Sequence, residues 1–181
     1  SFGQKDKTVR FIILDVKYDQ NSYLKEGDND MLGEKQWKWL EKLFKTKSET
    51  YTFICASNQI LSNDRFIMKK WYHDSRKKLF DLIGKYHKNG VILLTGGLGF
   101  SQILKTFCPL KNITYNLYEF TSSGLGHNNK LSSYLNNFYH NDYLIEGTNY
   151  NDINFGQAKI HWGDKVEEYY IEFEIYDKND N

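Results

Sequence analysis

One proline, Pro109, and two cysteines, Cys55 and Cys108, are all that these 181 residues hold of either type. Two cysteines cannot build a disulfide framework, and no C-x-x-C pair offers the spacing of a zinc ribbon or a redox motif. Cys55 lies in the apolar run "YTFICAS" and reads as an inert core residue, whereas Cys108 sits in a loop beside Pro109. Nothing in the sequence says whether the two meet. No apolar run approaches the roughly 20 residues of a membrane span. Neither charge sign dominates: 24 Lys+Arg stand against 23 Asp+Glu, a net charge of +1. That balance lacks the basic footprint of a nucleic-acid binder. The clusters "MKKW" and "SRKKLF" read as solvated helix faces. One sequon, Asn112-Ile113-Thr114, is present, and such triplets arise often by chance.

No initiator methionine opens the sequence and no signal peptide is visible at Ser1. The chain opens on Ser1 and its first strand follows almost at once. The expectation is a single domain over 1–181 that forms the C-terminal portion of a larger one. Secretory pathway and cytoplasm both stay open as compartments.

What is there alternates. "VRFIILDV" (9–16) reads as a strand with Asp15 near its end. "GEKQWKWLEKLF" places Trp37, Leu40 and Phe44 on one helical face. "YTFICAS" (51–57) is the next strand, ending in the polar turn Ser57-Asn58-Gln59. "DSRKKLFDLIGKY" sets Leu79, Leu82 and Ile83 along one face, with Asp74 or Ser75 as N-cap. "VILLT" is a third strand. Strand, helix, strand, helix, strand predicts a largely parallel sheet with helices packed on it. "ITYNLYEFTSS" (113–123) reads as a further strand. "INFGQAKIHWGDKVEEYYIEFEIYD" reads as an antiparallel hairpin turning at Gly163-Asp164. In its second strand Tyr169, Ile171, Phe173 and Ile175 alternate with Glu168, Glu172 and Glu174, so the odd-numbered face is predicted to be buried.

Ligands of such sheets sit beyond the carboxyl ends of the strands. The residues there are Asp15 and Lys17, then Ser57, Asn58 and Gln59, then the Gly96–Gly99 loop. Asp15 is the one acidic group. It can orient a base or hold a metal, but the commoner task of such a residue is to cap its own turn. The loop "LLTGGLGFSQ" has no carboxylate, imidazole or thiol. Ser122 and Ser123 have no base partner in the sequence, so a serine nucleophile is unsupported.

Several segments, in order, resemble the PhoD-like family of metal-dependent alkaline phosphatases and phosphodiesterases. They are "RFIILDVKYDQ", "MLGEKQWKWLEKLF", "FICASNQIL" with "WYHDSRKKLFDLI", "GVILLTGGLGFSQI" running on to "YNLYEFTSSGLGH", and "INFGQAKIHWG". The resemblance implies an α/β fold, part of a metallophosphatase-like layered sandwich, with a mixed sheet and an antiparallel C-terminal hairpin. It implies that Trp71 matches an aromatic near the substrate mouth, against the commoner role of such a tryptophan in the core. Arg76, in "SRKK", could reach a phosphate, although a solvated role is the commoner one. His127 matches a family position as well, against the plainer reading of a loop histidine bonded to backbone.

The departures matter more. The family's third strand runs into Gly-Asp-Val-His-Phe, with the Asp a metal ligand; here Gly97 and Gly99 take the places of Asp and His. Glycine has no side-chain donor for a hard cation. Lys17 stands where the family usually has Arg, which loses the bidentate fork suited to phosphate. The family's other ligands lie upstream of the matched part. The resemblance therefore implies a pseudoenzyme: a PhoD-like metallophosphatase scaffold that has lost its metal loop, expected to hold no cofactor. It would serve binding or assembly with another protein or with the N-terminal half of the same product. The alternative is an active hydrolase whose Ca, Fe or Zn ligands come from an upstream segment.

Overall fold

The computed structural model describes residues 1–18, 30–46, 49–63, 70–86, 90–106, 113–126 and 141–179. Its centre is a six-stranded mixed sheet of order β1-β2-β3-β4-β6-β5. The strands are β1 (Phe2–Gln4), β2 (Lys7–Ile13), β3 (Tyr51–Ala56), β4 (Val91–Thr95), β5 (Ser101–Lys105) and β6 (Tyr118–Ser122). β2, β3, β4 and β6 run parallel, while β1 and β5 close the two edges antiparallel. A separate antiparallel pair, β7 (Asn154–His161) and β8 (Tyr170–Asp177), packs on one face. Helices α1 (Gly33–Phe44) and α2 (His73–Tyr86) belong to the other.

A sheet covered on both faces needs strands that are apolar on both sides. β2 meets that demand: Ile12 and, just beyond it, Leu14 join the helix-side core, and Val9 joins the hairpin-side cluster. The helix-side core takes Trp37, Leu40 and Phe44 from α1 and Leu79 and Ile83 from α2. Each such side chain contributes about 1.5–3 kcal/mol when fully buried. Asp30 fastens the two helices together. Its Oδ1 accepts from Trp37 Nε1 at 2.6 Å and Ser75 Oγ at 3.2 Å, and Ser75 Oγ in turn accepts from Met31 N at 3.0 Å. On the opposite face Ile160, Trp162, Ile171 and Phe173 pack against Val9, Phe53 and Ile92. That is the predicted register of the last strand.

Several boundaries differ from the sequence reading. The first long strand ends at Ile13; Leu14 N still donates to Cys55 O at 2.9 Å, and the chain then turns at Asp15, whose Oδ1 accepts from the N–H groups of Lys17 and Tyr18. Only Tyr118–Ser122 of the 113–123 segment is strand, since Leu117 is already bonded through its N–H and C=O to Thr106. The helix begins at His73, so neither Asp74 nor Ser75 caps it from outside. The hairpin connection is longer than Gly163-Asp164 and holds a 3₁₀ turn, Val166–Glu168. β1 and β5 carry no clear apolar alternation and were not anticipated. Cys55 is half-buried on the hairpin side of the sheet rather than deep in the helix-side core. Its thiol is pushed up by burial. Cys108, Pro109 and Asn112 lie outside the described residues. Among the described residues no helix is long and apolar enough to cross a membrane.

Candidate functional site

The parallel strands deliver four segments to one edge of the sheet: the Asp15 turn, Ser57–Gln59, the Gly96–Phe100 loop and Ser122–Gly124. Asp15, Lys17, Ser57, Asn58 and Gln59 lie there. Asp15 caps its own turn, as its Oδ1 accepts from Lys17 N at 2.9 Å and Tyr18 N at 3.1 Å. Those two backbone donors hold its carboxyl below the usual range. The Gln36 amide clasps the Asp15 backbone from α1, donating to its C=O at 2.7 Å and accepting from its N–H at 2.9 Å. Lys17 is exposed.

Ser57 is exposed and donates to Asn58 Oδ1 at 3.1 Å, while Asn58 and Gln59 are buried. Gln59 turns inward, its Nε2 donating to Thr121 Oγ1 at 2.9 Å. Ser57 also meets the glycine loop. Gly97 has φ +81°, and a Cβ there would press into the Ser57 carbonyl oxygen, far inside van der Waals contact. Gly99 has φ +80°. Both residues occupy backbone conformations that L side chains rarely adopt. Ser123 pins the loop: its Oγ accepts from Leu98 N at 3.0 Å and Gly99 N at 2.8 Å, and donates to Phe100 O at 3.1 Å. That hydroxyl is spent on backbone.

Trp71 takes the commoner of its two readings: it is in the helix-side core, edge-on to Trp37 with ring centroids 6.3 Å apart. Arg76 is not merely solvated; its guanidinium donates to Leu61 O at 3.4 Å and Ser62 O at 3.0 Å. His127 lies outside the described residues.

The sequence reading missed Glu119. In "YEFTS" its alternation suggests a wet face, yet it is fully buried beneath the strand ends. Its carboxylate accepts from Ile60 N at 2.9 Å, Leu61 N at 2.6 Å and Thr95 Oγ1 at 2.7 Å. Burial pushes its pKa up, while the three donors and the Arg76 charge oppose that rise. Thr95 and Thr121 share a hydrogen bond at 2.8 Å, joining Glu119 to Gln59. No signal short of the strand order could have found this network.

Set against a hard divalent cation, these donors do not fit. One carboxylate already serves two backbone N–H groups, the amide of Gln59 faces inward, and Gly97 has no room for a side chain. Such ions are held by several oxygens, carboxylates foremost. Among the described residues no three His, Cys, Asp or Glu side chains come together.

This architecture has a solved counterpart. The chain is similar to PhoD, with a TM-score of 0.59 and 14% identity over 95% of this chain and 40% of that one. The fold is PhoD-like. The chain thus spans about two-fifths of the PhoD chain it matches. No family model matches it, and no curated protein does.

Proposed function

We propose that this chain is a catalytically silent part of a PhoD-like metallophosphatase, kept for binding or assembly rather than hydrolysis. The observation that supports it is Gly97, whose φ of +81° and contact with the Ser57 carbonyl exclude a side chain where the family pattern has a metal-binding carboxylate. A loop that had merely lost an aspartate would keep space for one. This loop is built around the glycine, and Ser123 secures it in that shape. Asp15 does not compensate, because one carboxylate engaged in its own turn cannot clamp the two ions that metal-assisted phosphoryl transfer uses.

The test is to assay the full encoded product on p-nitrophenyl phosphate and bis-p-nitrophenyl phosphate with Ca²⁺, Fe²⁺ or Zn²⁺ supplied. Background turnover is expected with each. Robust turnover that a chelator abolishes would overturn the reading and favour the alternative, in which upstream residues supply the ligands.

A further inference from the structure

Behind the strand-end loops, on the helix side of the sheet, a chain of buried polar side chains has a fixed direction. Thr95 Oγ1 lies 2.7 Å from the Glu119 carboxylate and 2.8 Å from Thr121 Oγ1, and Gln59 Nε2 lies 2.9 Å from Thr121 Oγ1. An ionised carboxylate only accepts, so Thr95 gives its one proton to Glu119. Thr121 must then donate to Thr95 and accept from the Gln59 amide. Gln59 therefore presents its N–H₂ to Thr121, and its Oε1 is turned away from the chain.

That oxygen is buried and has no hydrogen-bond partner. The same holds for both polar atoms of Gln102, Oε1 and Nε2. Gln59 and Gln102 are each at 0% exposure. Gln102 stands directly opposite Thr121 in the antiparallel β5–β6 ladder, so the two side chains leave the sheet on one side. The two glutamines thus flank a single threonine. Unpaired amide groups in such a place are costly, and native interiors satisfy nearly all of them.

The three orphaned groups narrow the occupant. A direct bond from Gln102 Nε2 to Gln59 Oε1 would leave Gln102 Oε1 bare. A cation would suit the two oxygens and oppose the N–H₂. An anion would suit only the N–H₂ and would sit near the Glu119 charge. Water donates twice and accepts as well. One molecule can accept from Gln102 Nε2, donate to Gln102 Oε1 and donate to Gln59 Oε1. Buried waters make about three hydrogen bonds of this kind. The short side chains of Thr95 and Thr121 take less of the layer than Leu93 and Leu104 beside them on the same face, which favours room for it.

We infer that Gln59 and Gln102 form a binding site for one buried water. It ties the segment after β3 to the edge strand β5, across β4 and β6. The site stands whether or not the chain hydrolyses phosphate esters.

A high-resolution crystal structure of the full encoded product reads the site directly. The expected result is an isolated peak about 2.8 Å from Gln59 Oε1, Gln102 Oε1 and Gln102 Nε2. Amides bonded to each other with no peak between them would overturn the site. So would a peak about 2.4 Å from several oxygens, the mark of a cation. Gln102→Met gives a test in solution whose sign decides, because methionine fills similar space without an amide. If water is bound, the change strands Gln59 Oε1 and should lower the folding equilibrium constant about tenfold. If the amide is buried dry, the same change removes an unpaired group and raises that constant, which would overturn the inference. Circular dichroism checks that Q102M keeps the parent fold; should it not fold, the peak in the parent decides alone.

Discussion

Gly97 and Ser57 are so close that the carbonyl oxygen of Ser57 fills the space where a side chain of residue 97 would begin. The φ of +81° at Gly97 compounds the exclusion. Gly97→Ala should therefore cost about 1–3 kcal/mol, the range for a residue forced into a sparsely populated conformation. Gly126→Ala, where a Cβ meets nothing within 4 Å, is the control and should be near neutral. Urea denaturation of the two variants beside the parent gives the comparison. The same geometry means that Gly97→Asp alone should destabilise the loop and recover no hydrolysis.

Glu119 gives a pH-dependent prediction. Its folded pKa is raised by burial, so the folded state holds the proton to higher pH than the unfolded state does. Its effect on stability is therefore most favourable below the unfolded carboxylate pKa and is lost as pH rises through the raised folded value. In Glu119→Gln an amide N–H₂ must face Ile60 N or Leu61 N, leaving a buried donor without an acceptor. That should cost about 1–3 kcal/mol. The gap between parent and variant should be largest at acid pH and narrow toward neutrality. Denaturation at a series of pH values would show a constant gap if Glu119 were not titrating.

Asp15 should titrate below a free aspartate, because the N–H groups of Lys17 and Tyr18 stabilise its charged form. Carboxyl carbon NMR reads this directly. Millimolar Ca²⁺ should leave the titration curve in place, whereas a resident metal site would displace it.

Trp71 tests the helix-side core. Buried at 3% exposure and edge-on to Trp37, it should cost about 3–5 kcal/mol on replacement by Ala. A tryptophan lining a substrate mouth would cost far less. Thermal or urea unfolding separates the two.

The sequence alone determined the layered plan. Trp37, Leu40 and Phe44 recur at helical spacing, and Ile171 and Phe173 alternate with glutamates, so local periodicity was enough to place α1 and orient β8. That the glycine loop carries no carboxylate was legible too, since residue types are visible in one dimension. Tertiary structure decided the rest. β5 has a weak apolar pattern and exists because it pairs antiparallel with β6 at the sheet edge. Glu119 looks solvent-facing by alternation, but β6 is inserted between β4 and β5, so its helix-side face lies under Ile60 and Leu61. Trp71 and Arg76 precede or begin a helix, where sequence leaves their direction open; packing against Trp37 and the Leu61 and Ser62 carbonyls set it. Periodicity records which face of an element is apolar. Which neighbours cover that face is set by strand order and crossover, and those are properties of contacts far apart in the chain.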